Sequence, residues 1–275
     1  MSMDMNTKIK LSNGKTMPCF GLGCYNAFGD EMTNATEWAL EAGYRYIDSA
    51  SCYKNEDAIG KALAKSKIAR EDLFILSKIW PSQYDDVEKA LMETMKALQV
   101  DYLDCYLIHW PTDNQARRLK TYEQLLKLEE KGICRMVGTS NFLPEHMEEL
   151  YKNFGVYPPV NELEIHPYFQ QTDARNYLRS KNIQLISYTP TNRGAFLDNA
   201  EVKNIASAHG KKPNQVILRW HIQKGLVPIP KSSNRERIKE NRDIFDFELT
   251  QAEMEVLDAM ECGMRRGHDP LAYNG

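Results

Sequence analysis

No stretch of this chain approaches the roughly 20 consecutive apolar residues that a membrane-spanning helix needs. The opening MSMDMNTKIK lacks the apolar run of a secretory leader. The net charge is only −3, which removes the electrostatic reason to expect nucleic acid or a membrane surface as partner. Six cysteines, at positions 19, 24, 52, 105, 134 and 262, form no CxxC pair. In 275 residues with 42% apolar content, that scatter points to reduced, mostly buried thiols in a cytoplasmic protein and argues against zinc or another metal. Cys52 stands beside Tyr53, where redox sensitivity competes with plain packing. No Pro/Ser-rich linker interrupts the chain, so residues 1–275 are expected to form a single domain.

What is present is an alternation. KIKLSNGKTMPCF carries an Asn-Gly turn signal between two short strand-like pieces and predicts an opening β-hairpin. Strand candidates then follow in order: FGLGCY, YRYIDSA, LFILSKI, YLDCYLIH, CRMVGTS, NELEIHP, IQLISYT and LVPIP. Most are continuous apolar runs, the pattern of strands buried on both faces of a parallel sheet. Between them lie amphipathic stretches. NATEWALEAG sets Ala35, Trp38, Ala39 and Ala42 on one face and stops at Gly43. DDVEKALMETMKALQV, YEQLLKLEEKG, KPNQVILRWHIQKG and TQAEMEVLDAME repeat the theme. Eight such units predict a (β/α)8 TIM barrel with the N-terminal β-hairpin as a plug. The rival is a doubly wound dinucleotide fold, but GLGCYN has only the first two glycines of that fingerprint, and a polar loop separates it from the next helix.

On a barrel, chemistry sits at the C-terminal ends of the strands. Asp48 ends YRYID, Lys78 ends LFILSK, His109 ends YLDCYLIH, and Tyr53 lies in the loop after Asp48. Singly, each has an ordinary explanation as a cap, a solvated strand end or a core histidine. Together they put four proton-capable groups at one mouth.

Within IDSASCYKNE, LSKIW and LIHWP, these four residues closely resemble those of the aldo-keto reductases. The resemblance runs from SNGKTMPCFGLG through VGTSNF and NELEIHPY to IPKSSNRERIKENRDIFDFEL, almost the whole chain. It implies the (β/α)8 barrel and NAD(P)H-dependent reduction of aldehydes and ketones by a monomer, with Tyr53 as general acid. The roles follow from charge. A phenol, with a pKa of about 10, is a weak acid at neutral pH, and a nearby ammonium favours its ionised form. Lys78 would thus activate Tyr53, Asp48 would hold Lys78, and His109 would orient the carbonyl oxygen.

PKSSNRERIKEN, after the last strand, places Lys231, Ser232, Ser233, Asn234 and Arg237 at a helix start, a natural phosphate site. By resemblance this segment holds the adenosine 2′-phosphate, Glu240 and Asn241 meet the adenine, and NADPH is preferred over NADH. Ser140 and Asn141 resemble the pair that binds the nicotinamide carboxamide, and Tyr188 the aromatic that stacks on the ring. Two departures stand out. The family usually has Asn-Gln where this chain has Asn161-Glu162; Glu162 is retained in the cofactor site, although a carboxylate cannot donate a hydrogen bond. The usual Ser-Pro-Leu-Gly is here Thr189-Pro190-Thr191-Asn192-Arg193-Gly194, which leaves Arg193 either at a phosphate or in water.

Tyr25, Trp80 and Trp110 follow strand ends beside the tetrad and are candidate walls of a substrate slot. The short loop PTDNQARRLK and the short tail RRGHDPLAYNG predict an open pocket with broad carbonyl acceptance, as in prokaryotic diketogluconate and small-aldehyde reductases. Two other functions compete: a non-enzymatic NADPH-binding sensor or accessory protein, and a metallohydrolase using Asp48, His109, Glu162 and His166.

Overall fold

The computed structural model describes residues 3–5 and 7–273. The Asn-Gly signal folds as read: β1 (Lys8–Lys10) pairs antiparallel with β2 (Thr16–Pro18), and Gly14 takes φ +80° in the turn, a conformation open to glycine. All eight strand candidates become one parallel sheet. Its strands are β3 (Leu22–Gly23), β4 (Tyr46–Asp48), β5 (Phe74–Ile79), β6 (Cys105–Ile108), β7 (Val137–Ser140), β8 (Val160–Glu164), β9 (Gln184–Tyr188) and β10 (Val227–Pro228), each paired with the next in chain order. The ring closes where Gly21 N–H donates to Pro228 O and Gly23 N–H to Pro230 O, each at 3.2 Å. The fold is therefore a (β/α)8 barrel.

The helices that cover it are α1 (Gly29–Glu41), α2 (Glu56–Lys65), α3 (Val87–Leu98), α4 (Gln115–Glu130), α5 (Pro144–Phe154), α6 (Thr172–Ser180), α7 (Ala200–Ala208), α8 (Pro213–Gln223), α9 (Arg235–Arg242) and α10 (Gln251–Asp258). The predicted apolar face of α1 is buried at Ala35, Ala39 and Ala42. Both α1 and α4 begin earlier than their apolar periodicity does, because polar first turns carry no such signal.

Alternation along the strands sorts the barrel interior into layers. Tyr46, Leu76, Leu107, Val160 and Ile186 belong to one apolar cluster, together with Leu11 and Met17 from the hairpin. The hairpin is thus the floor of the barrel. Two residues further along the same strands stand Asp48, Lys78, His109, Glu162 and Tyr188. The lower layer is dry and apolar; the upper layer is polar and faces the mouth.

Close packing on the outside depends on Gly60 of α2. A Cβ there would collide with Ala97 O and fall within 2.9 Å of Leu98 O at the end of α3. Gly60→Ala is expected to destabilise the fold by about 1–3 kcal/mol by overpacking. The check is a lower urea midpoint with activity per folded molecule unchanged.

Candidate active site

Lys78 is fully buried, and its ammonium has three N–H groups to satisfy. One goes to Asp48 Oδ1, one to the carbonyl oxygen of Ser49 at 3.0 Å, and the third faces Glu162 Oε2 at 3.2 Å. Parallel register explains the meeting of the first two: Asp48 pairs with Leu76 on β5, two residues before Lys78, while Glu162 reaches the ammonium from β8, three strands further round the barrel. Burial pulls the lysine pKa down, but the charges of Asp48 and Glu162 outweigh it, and Lys78 stays protonated well above its ordinary value. Asp48 accepts a further hydrogen bond, from Tyr46 Oη at 2.5 Å.

Tyr53 closes a short 3-10 turn, Ser51–Tyr53, directly above this cluster, with Lys78 Nζ 5.5 Å from its ring centroid. The sequence-based expectation was that the ammonium makes the phenol a stronger acid. Its charge does lower the Tyr53 pKa, yet burial acts more strongly in the other direction, and the nearby Glu162 and Asp48 add to the rise. Tyr53 is half-buried at the mouth, and the Lys78 charge offsets only part of what burial adds.

His109 follows β6, edge-on to Tyr53 with ring centroids 5.7 Å apart. Burial, and then the charge of Lys78, push its pKa well down, so the ring is neutral near pH 7. Cys52 Sγ lies 3.7 Å from its Nδ1. A neutral imidazole with a hydrogen on Nε2 is a donor for a carbonyl oxygen.

Next to this cluster the cofactor candidates fall into two groups. At the mouth, Tyr188 Oη donates to Asn141 Oδ1 at 2.8 Å, while Asn141 Nδ2 donates to His109 O at 3.0 Å and to Ser140 Oγ at 3.1 Å. Asn141 takes φ +63° and Thr189 φ +51°, left-handed conformations that a β-branched residue rarely adopts. Further out, Lys231 bridges to Gly23 at the strand seam and pairs with Glu31 at 3.6 Å. Ser232 is buried, Ser233 half-buried, and Asn234 and Arg237 are exposed at the start of α9. Asn234 Oδ1 caps the helix by accepting from Arg237 N–H at 3.0 Å, which leaves its amide as the free donor. Glu240 is drawn to Lys212, and Asn241 is buried behind it. Arg193 is exposed. Cationic and hydroxyl donors at a helix start, joined along the β3 end to an aromatic and amide cluster, fit a phosphate-bearing dinucleotide.

The substrate candidates form an aromatic wall. Trp80 lies edge-on to His109 at 5.1 Å, and Tyr25, exposed, lies edge-on to Tyr53 at 5.1 Å. Trp110 is buried because the C-terminal tail returns over it: Tyr273 stacks on it at 4.4 Å and His268 meets it edge-on at 5.9 Å. The open pocket expected from the short tail is therefore corrected to a partly covered one. Glu164 anchors that tail, accepting from the backbone N–H of Arg266 and of Gly267, each at 2.7 Å. His166 is spent on Glu164 at 3.0 Å, away from the Lys78 cluster.

Comparison with known proteins now decides the family. The aldo/keto reductase family profile matches residues 21–261. The chain belongs to the aldo/keto reductase family. It is 43% identical over 273 residues to glyoxal reductase of Bacillus subtilis, with 98% of each chain covered. It is 38% identical over 271 residues to methylglyoxal reductase DkgA of Escherichia coli, again with 98% of each covered. Among solved structures, a mutant of Gox0644 in complex with NADPH superposes with a TM-score of 0.93 at 36% identity, covering 97% of this chain and 98% of that one.

Within this family member, reading the sequence missed Tyr46 and Tyr273. Tyr46 was findable, since it lies two residues before Asp48 on the same strand face; the irregular tail offered no such signal. Tyr46→Phe leaves a buried Asp48 oxygen without its donor and is expected to cost about 1–3 kcal/mol of folding free energy. Urea denaturation at neutral pH measures it.

Proposed function

We propose that this aldo/keto reductase reduces small aldehydes and ketones, 2-oxoaldehydes among them, with NADPH as reductant and Tyr53 as general acid. One observation carries the reading. A fully buried ammonium, held between the Asp48 and Glu162 side chains, lies 5.5 Å from the ring of Tyr53 and beside a neutral histidine. The glyoxal and methylglyoxal reductase relatives and the NADPH complex of Gox0644 support the substrate class and the cofactor.

When bound, the reduced nicotinamide supplies a hydride to the carbonyl carbon. Negative charge then grows on the carbonyl oxygen, and Tyr53 gives it a proton. His109 donates from Nε2 to the same oxygen and fixes its direction, a role a neutral ring performs without holding a competing charge. Lys78 stabilises the phenolate that Tyr53 becomes, and Asp48 keeps the lysine charged and in place. Ser140, Asn141, Glu162 and Tyr188 receive the nicotinamide end. Lys231, Ser232, Ser233, Asn234 and Arg237 take the phosphate of the adenosine, with Glu240 and Asn241 at the adenine. Trp80, Trp110 and Tyr25, joined by Tyr273, exclude water from the reacting carbonyl. A monomer is taken as the working unit, as the family resemblance implies. Among the described residues no helix is long and apolar enough to cross a membrane; a cytoplasmic site of action is part of the proposal.

The sensor alternative would not require the tetrad to be assembled around a buried lysine. The test is turnover of NADPH with a panel of glyoxal, methylglyoxal and aromatic aldehydes, followed by nicotinamide absorbance. Tyr53→Phe should fold and bind NADPH as the parent does yet lose about 100-fold or more in kcat, the scale of a missing general acid. Undiminished turnover in that variant removes Tyr53 from the role. Lys231→Ala and Arg237→Ala should each weaken NADPH binding while leaving NADH binding nearly unchanged; equal losses for both cofactors contradict a 2′-phosphate contact.

A further inference from the structure

The buried cluster holds two carboxylates against one ammonium. Asp48 and Glu162 are each 2% exposed at the side chain and Lys78 is 0% exposed. With both acids ionised, the site carries one uncompensated negative charge away from water, which is costly. The cheaper state has one more proton. The two acids are not equivalent hosts for it. Asp48 accepts from Lys78 through one oxygen and from the hydroxyl of Tyr46 through the other. Glu162 has Lys78 at 3.2 Å, and its Oε2 has no hydrogen-bond partner.

We propose that Glu162 is the proton store of this site, protonated in the resting enzyme, and that its charge state sets how readily Tyr53 releases its own proton. Glu162 therefore acts through Lys78 and Tyr53 as a positioning and proton-holding residue. This rests on Tyr53 being the acid and on the nicotinamide end lying beside Ser140, Asn141 and Tyr188.

The groups that face Glu162 support the assignment. They are Lys78 on β5, Asp48 and Tyr46 on β4, Tyr53 on its 3-10 turn and Tyr188 on β9. Lys78 is the only cation among these five; the others are acids. Burial and then the charge of Asp48 raise the Glu162 pKa, against the lowering pull of Lys78. Ionised Glu162 in turn opposes ionisation of Tyr53.

The proton count closes. As the carbonyl carbon receives a hydride from the nicotinamide, its oxygen takes the phenol proton of Tyr53. The phenolate regains a proton from the Lys78 ammonium, and Lys78 regains one from the Glu162 carboxyl. The alcohol leaves with both hydrogens. Asp48, Lys78 and Tyr53 end as they began, and the lasting change on the protein is Glu162 from acid to carboxylate. That negative charge matches the positive charge on the oxidised cofactor, so the reduction step needs no proton from solvent. Glu162 regains its proton once the oxidised cofactor has left.

The test needs no turnover. NADP+ and NADPH are titrated separately into wild-type enzyme and Glu162→Gln, with binding followed by tryptophan fluorescence and protons by an indicator dye in weak buffer. Wild type should release about one proton on binding NADP+ and none on binding NADPH, because a nearby cation favours the ionised acid. Glu162→Gln, the same shape without the titration, should release none with either. Equal proton counts for the two cofactors in wild type, or an unchanged NADP+ count in the variant, overturn the proposal. Failure of either cofactor to bind overturns the site reading, and the proton store with it. A pH profile adds the second arm. Wild-type kcat/KM for reduction should be full where Glu162 holds its proton and fall up to about tenfold per pH unit as pH rises through its raised pKa. Glu162→Gln should stay flat across that window, and superimposable profiles refute the idea.

Discussion

Everything at this mouth follows from a lysine ammonium buried inside a barrel. Removing such an ion from water costs several kcal/mol even after relaxation, and only well-placed acceptors offset it. Lys78 donates to Asp48 and to the carbonyl of Ser49, and Glu162 Oε2 stands 3.2 Å away without completing a hydrogen bond. Their positions are not independent. The lysine comes from β5, the aspartate from β4 and the glutamate from β8, so the cluster exists only if the ring of strands has closed in register. A buried ion cluster of this kind is a poor route to stability, since well-packed apolar residues would do as well or better. Its presence is better explained by what it does to the tyrosine above it.

The layering of the barrel keeps those charges affordable. Below the cluster, Leu76, Leu107, Val160 and Ile186 join Leu11 and Met17 of the hairpin in one buried apolar cluster. Above it, Trp80, Trp110 and Tyr273 form an aromatic rim, with the tail anchored by Glu164. Between floor and rim the electrostatics are strong because water is scarce. The same scarcity cuts both ways: it raises the Tyr53 pKa, depresses that of His109 and makes an uncompensated carboxylate expensive. Lys78 moderates these effects without cancelling them.

Much of this was legible beforehand. Continuous apolar runs ending in Asp48, Lys78 and His109 marked strand termini, and the barrel reading put those termini at one end. The tetrad was proposed as a site for that reason. Glu162 was read as a departure kept in the cofactor site and as a candidate metal ligand, not as a partner of Lys78, because that partnership spans 84 residues of chain and leaves no local trace. Likewise, Lys78 was expected to lower the Tyr53 pKa. Its charge does act in that direction, but the expectation had no measure of burial, which acts in the other.

The amino-acid order alone determined the alternation of strands and helices, the hairpin turn, and the parity that sends polar side chains inward at the strand ends. These are local properties, governed by backbone geometry and periodicity over a few residues. Closure of the ring decided the rest: which carboxylates share the ammonium, how deeply the phenol lies, and that Tyr273 folds back over Trp110. Those depend on distances between segments far apart in the chain and on the exclusion of water, and both arise only when the strands have come together.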